Sequence, residues 1–292
     1  MIESFLKYIE FEKRYSKHTV TSYKNDLEQF NVFLSGLDSQ LNLFQVTYPH
    51  IRSWIISLVE DGISPSSVNR KMASLRSYYK FLHKSGSVKK DPTLQLRALR
   101  TSKRLPQFAQ ESEMQRLFEH VNFSNDFSGL RDLLLLELLY ATGMRRSELI
   151  ALKTSSVNLV KSQIKVLGKR NKERIIPLNK EVAELIQKYL QMRNGEFEGV
   201  NDFLLLTDKG DQLYDGFVYR KVKAYLGATT TLEKKSPHIL RHTFATHLLN
   251  NGADLNAVKE LLGHSSLAAT QVYTHNSLDK LKKVFEKAHP KA

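Results

Sequence analysis

Apolar residues recur every three or four positions through the first part of the chain, which is the period of an amphipathic helix. Four such runs lie between residues 1 and 86. The second run follows Ser16, Pro49 opens the third and Gly62 closes it, and Ser64 with Pro65 forms an N-cap and first-turn pair for the fourth. Four amphipathic helices with short connections predict a small helical bundle.

From Glu111 onward the pattern predicts helices interrupted by strands. A strongly apolar helix is expected from about Leu130 to Ala141, ended by Gly143, with a shorter helix before it and another after it. The block SQIKVLGKRNKERIIPL alternates β-branched and polar residues on both sides of a Gly-Lys-Arg-Asn-Lys turn, which predicts a β-hairpin. DFLLLT predicts a further short strand. The fold class is therefore mainly α with a small antiparallel β-sheet.

Residues 236–275 form the stretch with the most chemistry. Ser236 and Pro237 predict the start of a helix that runs to about Asn250. Asp254 is an expected N-cap for a second helix, and Gly263 is expected to end it. A span of 36 residues inside this stretch holds three side chains that can be positively charged and one phenol that can act as a nucleophile: His238, Arg241, His264 and Tyr273.

Periodicity is weakest between residues 87 and 110, where two prolines and many Lys and Arg residues occur. This composition predicts a basic interdomain linker, either a solvated tether or a segment that lets both domains wrap one duplex. The expected organisation is an N-terminal helical domain over 1–86, the linker over 87–110 and a C-terminal domain over 111–292. A final apolar stripe is expected to contact its own domain or a neighbouring subunit: Leu278, Leu281, Val284 and Phe285.

Composition narrows the class of protein. The chain has 44 Lys and Arg against 30 Asp and Glu, a net charge of +14, and both halves are basic. It has no cysteine, which excludes disulfides and thiolate metal sites, and it has no apolar run of the length that spans a membrane. The N-terminus does not have the pattern of a signal peptide, so we expect a cytoplasmic protein. Such a basic two-domain chain most often binds nucleic acid.

The solvent side of the fourth predicted helix carries four cations. A row of charges of this kind is ordinarily a solvated face, but on a basic protein it is also a candidate for contacting DNA phosphates. The predicted DNA-binding residues are Arg70, Lys71, Arg76 and Lys80.

Each residue of the polar stretch, taken alone, has an ordinary structural explanation. His238 and His242 also have the i,i+4 spacing of two helical metal ligands, but HILRH lacks the glutamate of a zinc protease motif, and no third-ligand segment stands out. If Arg145 and Lys169 lie close to the four polar residues of the 236–275 stretch, the site holds two guanidinium groups, an ammonium, two imidazoles and a phenol. Arginine pairs bind phosphate oxygens, and tyrosine forms covalent intermediates, so this set favours phosphoryl transfer with Tyr273 as nucleophile.

Five motifs of the chain together resemble those of the tyrosine recombinase (phage integrase) family, most closely its bacterial Xer type. They are ATGMRRSEL, GKRNKER with IIPL, HILRHTFATHLLNNG, LLGHSS and VYTH. The resemblance implies that Arg145 and Arg241 clamp the scissile phosphate, with Glu148 supporting the first arginine. It implies that Lys169 protonates the 5′ oxygen. By the same resemblance His238 moves the proton of Tyr273, and His264 bonds a nonbridging oxygen.

The resemblance also implies the architecture and the partners. A SAM-like, four-helix, core-binding domain and an α+β catalytic domain would close around double-stranded DNA at a specific site, and four subunits would exchange strands through a Holliday junction. The tetramer is either homomeric or formed with a paralogous recombinase, and no metal, ATP or other cofactor is expected. Resolution of chromosome dimers at cell division is the expected role. An integrase of a mobile element with the same chemistry is the alternative, and a regulator without catalysis and a metal-dependent nuclease are two further hypotheses.

Overall fold

The computed structural model describes residues 1–101, 107–168, 172–197, 199, 201–263 and 287–290. Within it the chain divides into two compact units, Met1–Arg104 and Leu105–Ala292. Each unit has its own apolar core. The fold class predicted from the sequence is confirmed, since helices dominate and one small antiparallel sheet lies in the second unit.

The described residues of the first unit form four α-helices, the first of which continues into a π-helical turn over Tyr8–Glu12. The helices are α1 (Ile2–Lys7), α2 (Lys17–Leu37), α3 (Tyr48–Glu60) and α4 (Pro65–Lys84). The Ser64 hydroxyl accepts a hydrogen bond from the Ser67 backbone amide at 3.3 Å, so the predicted cap is confirmed. Gly62 takes a positive φ of 75° after α3, where the chain must turn towards α4.

Aromatic side chains dominate the core of the first unit. The rings of Phe30 and Trp54 lie 4.8 Å apart between α2 and α3, and both are buried. Beyond α4, Val88 and Leu96 are buried in the same core, and the Leu99 amide donates to the Asn69 side chain at 2.8 Å. Much of the described part of the predicted linker, up to Leu99, therefore packs on this unit.

The second unit has seven helices among its described residues, with three strands between the third and the fourth. The helices are α5 (Glu111–Glu119), α6 (Phe127–Thr142), α7 (Arg146–Ile150), α8 (Lys180–Glu196), α9 (Asp215–Thr229), α10 (Pro237–Asn250) and α11 (Leu255–Leu262). The strands are β1 (Val157–Asn158), β2 (Gln163–Leu167) and β3 (Glu173–Pro177). A 3₁₀ turn, Thr154–Ser156, precedes β1.

The sheet has the order β1-β2-β3, and both pairs are antiparallel. β2 and β3 pair antiparallel, as the hairpin prediction requires, with Lys165 opposite Ile175. Residues 169–171 of the predicted turn lie outside the described residues. DFLLLT, in contrast, is not a strand: Phe203 and Leu206 make only isolated bridges, to Lys153 and Gln212. An apolar run of this length does not distinguish a strand from an extended buried loop.

Helix α6 lies at the centre of the second unit and packs against α8 and α10. Almost every one of its residues is buried, as expected of a helix that is apolar on all sides. Among the described helices of the chain, none is long and apolar enough to cross a membrane. The C-terminal end of α6 is therefore fixed in position by the core, and the candidate site begins there.

Candidate active site

The turn after α6 brings two helices into close contact. Gly143 ends α6 with a φ of 58°, which favours glycine. A β-carbon at this position would also lie 2.4 Å from Cδ1 of Phe244 on α10. The glycine therefore allows both the turn and the close approach of α10, which carries His238 and Arg241.

Arg145 lies directly before α7 and is held by Glu148 in the first turn of that helix. The Arg145 backbone amide donates to Glu148 Oε2 at 2.7 Å, and its Nη1 donates to Oε1 at 2.7 Å. The Arg145 side chain keeps 29% of its surface exposed, while the Glu148 side chain is buried. A buried carboxylate thus fixes one edge of a guanidinium group that still faces solvent.

Arg174 on β3 binds the other side of the same carboxylate. Its Nη1 and Nη2 donate to Glu148 Oε1 and Oε2 at 3.0 and 2.8 Å, and its Nε donates to the Leu261 carbonyl at 2.8 Å. Burial alone would raise the pKa of Glu148, but the hydrogen bonds and charges of Arg174 and Arg145 outweigh it, and the pKa is lowered. Glu148 is therefore ionised at neutral pH.

Arg241 on α10 is buried and joins the end of α6 to the end of α11. It donates to the Gly143 carbonyl at 2.6 Å and to the Leu262 carbonyl at 2.7 Å. Burial, together with the positive charge of Arg145, lowers the pKa of Arg241 to about 10, although Glu148 acts in the opposite direction. The guanidinium group remains protonated at neutral pH, and the two arginines lie close enough to repel each other.

Arg145, His238 and Arg241 line one surface pocket of about 160 Å³. His238 is exposed in the first turn of α10, which begins at Pro237 as predicted, although the Ser236 side chain accepts no capping hydrogen bond. Tyr219 of α9 and Arg146 also line the pocket, and Arg146 Nε lies 2.8 Å from Asp215 Oδ1. The structure thus brings together three of the six predicted catalytic residues, with Glu148 behind them.

Lys169, His264 and Tyr273 lie outside the described residues, as does the stripe of Leu278, Leu281, Val284 and Phe285. The described neighbours of two of them belong to the site. Gly168, next to Lys169 in the sequence, has its amide 2.7 Å from the Lys172 carbonyl across the hairpin. Gly263, next to His264, ends α11 with a φ of 64° directly after the carbonyl that Arg241 binds.

The four predicted DNA-binding residues of α4 differ in their surroundings. Arg70 binds Asp26 of α2 at 2.5 and 2.9 Å, Lys71 binds the same carboxylate at 3.2 Å, and Arg76 donates to the Leu96 carbonyl at 2.6 Å. Lys80 is exposed. Three of the four cations therefore have acceptors within their own unit, and a DNA phosphate would have to share or replace them.

The arrangement is suited to binding an anion with tetrahedral oxygens. Arg145, Arg146, His238 and Arg241 bring hydrogen-bond donors, most of them charged, to one small pocket. The described part of the chain contains no group of three His, Asp, Glu or Cys side chains placed to hold a metal ion. His242, the other half of the alternative metal pair, packs edge-on against Phe108 with ring centroids 6.4 Å apart.

The sequence did not single out Arg174. A signal for it exists, because the alternation of β3 places Arg174 on the same face as Ile176, and both are buried. An arginine at an inward position of a strand requires a buried partner, and Glu148 is that partner. The Arg146–Asp215 pair was also not predicted, since nothing in the sequence brings α7 next to α9.

Comparison with known proteins agrees with this architecture. The phage integrase family matches residues 107–279, and the N-terminal SAM-like domain of phage integrases matches residues 2–86. "Tyrosine recombinase XerC" of Chlorobaculum parvum is 39% identical over 317 residues, which cover 100% of this chain and 94% of that protein. "Tyrosine recombinase XerC" of Oceanobacillus iheyensis is 40% identical over 295 residues, covering 100% and 96%.

Among solved structures, that of the XerH site-specific recombinase bound to palindromic difH substrate, a post-cleavage complex, has a TM-score of 0.74. It shares 23% sequence identity and covers 97% of this chain and 83% of that chain, which shows the common fold. Sequence identity over the full length, both family matches and the fold lead to one conclusion. The chain belongs to the phage integrase family and is a tyrosine recombinase of the Xer type.

Proposed function

We propose that this chain cuts and rejoins DNA strands at a specific site through a covalent bond between Tyr273 and the 3′ phosphate. The observation that carries the proposal is the pocket at which Arg145, His238 and Arg241 meet. In the cleavage step the Tyr273 oxygen bonds to phosphorus as the bond to the 5′ oxygen breaks. His238 takes the phenol proton, and Lys169 gives a proton to the leaving 5′ oxygen.

The two arginines supply the electrostatic part of this mechanism. Negative charge builds up on the nonbridging phosphate oxygens in the transition state, and donors fixed in advance stabilise it without reorganising. Arg241 is fixed by the carbonyls of Gly143 and Leu262, and Arg145 by Glu148. His264 adds a hydrogen bond to a nonbridging oxygen in this proposal.

The proton transfers explain why a tyrosine can act near neutral pH. An unperturbed phenol has a pKa of about 10, so about 0.1% of it is ionised at pH 7. Neighbouring positive charges favour the phenolate, and a histidine within reach accepts the proton as the bond to phosphorus forms. The phosphotyrosyl ester replaces one ester bond with another, so attack by a free 5′ hydroxyl reverses the step without ATP or a metal ion.

For the biological role we propose resolution of chromosome dimers before cell division, on DNA in the cytoplasm. The support is full-length identity near 40% with proteins named as XerC recombinases. Four subunits would act together on two sites, either as identical chains or with a paralogue. A mobile-element integrase would use the same chemistry and remains the alternative.

The test is a single-turnover cleavage assay in EDTA, with nicked duplexes prepared from fragments of the host genome. Cleavage near the nick releases a short fragment, so the 5′ hydroxyl that would reverse the step is lost and the covalent complex is trapped. The complex is separated in a denaturing gel, and the DNA joined to the protein is sequenced. We expect an adduct at one repeated sequence with the wild-type chain and none with Tyr273→Phe. An adduct formed by Tyr273→Phe would contradict the assignment of the nucleophile.

The same assay separates the other hypotheses. A regulator without catalysis would bind the fragments and give no adduct, and a metal-dependent nuclease would cut only after Mg²⁺ replaces the chelator. The sequence joined to the protein reports the site: a single chromosomal locus supports dimer resolution, whereas the ends of an insertion element support the alternative.

A further inference from the structure

Arg174 occupies a position in the site that the proposed reaction does not use. Its side chain is 4% exposed, and all three of its guanidinium nitrogens are hydrogen-bonded within the protein. Because the side chain is buried and held by these three contacts, its guanidinium group is not available to a DNA phosphate. Burial of a charged group is costly and is ordinarily repaid by well-placed partners, so the partners indicate what the residue does.

The first partner is the carboxylate that holds Arg145. Each oxygen of Glu148 accepts two hydrogen bonds, one from Arg145 and one from Arg174. A carboxylate has about four acceptor positions, so the group is saturated. Because Arg174 occupies two of them, Glu148 is left with only one edge for Arg145. Without Arg174 the carboxylate would be free to turn and to draw more of the Arg145 guanidinium group away from the pocket.

The second partner is the end of α11. Arg174 Nε binds the Leu261 carbonyl, and a β-carbon on Gly263 would lie 3.2 Å from Arg174 Cδ and 3.3 Å from its Nη1. Gly263 directly precedes His264 in the sequence, so the last described residue before the predicted catalytic histidine packs against the Arg174 side chain.

The hairpin provides the third contact. A β-carbon on Gly168 would lie 3.4 Å from Glu148 Oε1 and 3.5 Å from Arg174 Nη1. Gly168 directly precedes Lys169, the proposed general acid. The two glycines that lead into Lys169 and His264 therefore both approach the same buried ion pair.

We propose that Arg174 is a positioning residue for DNA cleavage. It fixes Arg145 through Glu148, and it packs against Gly168 and Gly263, the residues that directly precede Lys169 and His264. This inference rests on the proposed function. Misplacement of a reacting group by about 1 Å lowers the reaction rate on the order of 100-fold. Affinity for DNA depends instead on many phosphate contacts elsewhere. Loss of Arg174 should thus slow cleavage of bound DNA and leave binding nearly intact.

A purely structural role is the competing explanation, and the chain contains a matched control. Arg131 is also a fully buried arginine of the second unit, and it binds carboxylates, Asp132 at 2.9 Å and Asp208 at 2.5 Å. It does not line the pocket or bond to Glu148. Arg131→Lys therefore measures what a weakened buried ion pair does to the fold alone.

The experiment compares wild-type protein, Arg174→Lys and Arg131→Lys in three measurements: Tm, Kd for the nicked duplex and the rate of covalent-complex formation at saturating protein. Lysine keeps the charge but makes a single-point contact in place of the bidentate one. We expect both variants to lower Tm. Arg174→Lys should reduce the rate roughly 100-fold with Kd within about 3-fold, and Arg131→Lys should keep its rate within about 3-fold.

Equal rates for Arg174→Lys and wild type would overturn the inference, as would equal slowing by the two variants at equal loss of Tm. If Arg174→Lys does not fold, Arg174→Gln replaces it, because its amide still donates to Glu148 or the Leu261 carbonyl. It is assayed at a temperature where its circular dichroism equals that of the native protein, with the same criteria. Failure of the proposed function gives a different result, since the wild-type chain would then form no adduct.

Discussion

Gly143 and Phe244 approach each other so closely that a β-carbon on Gly143 would lie 2.4 Å from the Phe244 ring. Any side chain at 143 would push α6 and α10 apart or distort the turn that precedes Arg145. The carbonyl of the same glycine accepts a hydrogen bond from Arg241. One backbone position therefore combines the close packing of α6 against α10 with a hydrogen bond that holds Arg241.

Gly143→Ala should destabilise the protein and slow cleavage. The positive φ and the overlap with Phe244 each cost about 1–3 kcal/mol, so we expect a clear fall in the free energy of unfolding. Chemical denaturation measures it. Gly227→Ala on α9 is the control, because nothing lies within 4 Å of its added carbon, and alanine in a helix stabilises by about 0.5–1 kcal/mol. Equal stability of the two variants would contradict the close contact.

Arg241→Lys should lower the cleavage rate by about 10²–10³-fold, the effect typical of losing one donor to a developing oxyanion. The guanidinium group binds two backbone carbonyls and still lines the pocket, and an ammonium cannot replace all of these contacts. Single-turnover cleavage checks the change. Arg116→Lys, at an exposed arginine of α5, is the control and should cleave at the wild-type rate. A rate for Arg241→Lys within a few-fold of wild type would exclude Arg241 from the phosphate clamp.

Stability should fall when the pH drops through the ordinary pKa of histidine, and His247 should account for part of the loss. Burial lowers the pKa of His247 below its usual 6.5, against the effect of its hydrogen bond to Ala109. Its two ring nitrogens lie 2.9 Å from the Ala109 carbonyl and the Tyr140 hydroxyl, so the neutral ring is already satisfied. Well above pH 6.5 the ring is neutral in both the folded and the unfolded state. Below it the unfolded chain takes up a proton that the folded chain does not, which favours unfolding.

Urea denaturation of wild type and His247→Gln between pH 8 and 5.5 measures this linkage. The variant should be less stable at pH 8 but lose less stability towards pH 5.5. His120→Gln replaces an exposed histidine of the same unit and should follow the wild-type curve. Parallel curves for His247→Gln and wild type would show that His247 takes up its proton equally in both states.

Lys80→Gln should weaken DNA binding and reduce its salt dependence. Lys80 is exposed, whereas Arg70 and Lys71 already bind Asp26. Each lysine that neutralises a phosphate contributes about 1 to the slope of log K against log salt concentration. Titration of labelled duplex at several salt concentrations gives the slope. Lys188→Gln, at an exposed lysine of α8, is the comparison, and equal slopes for both variants would remove Lys80 from the DNA-binding face.

Local rules predicted most of the helices from the sequence. The pair Ser64–Pro65 and the residues Asp254 and Gly263 mark ends that the structure reproduces, because capping depends on a few neighbouring atoms. β1 was missed, since two residues carry no detectable periodicity. Burial of Val88 and Leu96 against the helical bundle was also missed, because a basic, proline-containing segment does not reveal that its few apolar residues have a partner.

The candidate site was predicted only as far as its motifs reach. Arg145, His238 and Arg241 do meet at one pocket, and Glu148 lies behind Arg145 as expected. Arg174 was not found because its role depends on Glu148, which is 26 residues away. A contact between distant residues depends on how the strand and the helices pack, and a single sequence contains no direct signal for that.

The last two backbone carbonyls of α11 affect the cluster formed by Arg145, Arg174 and Arg241. Leu261 and Leu262 accept hydrogen bonds from Arg174 and Arg241, so both cations lie at the negative end of the helix macrodipole. Unlike a carboxylate, a peptide carbonyl does not take up a proton at the pH values at which a glutamate becomes protonated. Part of the counter-charge that holds the cluster together is therefore independent of pH, and two of its arginines should stay in place even where Glu148 becomes protonated.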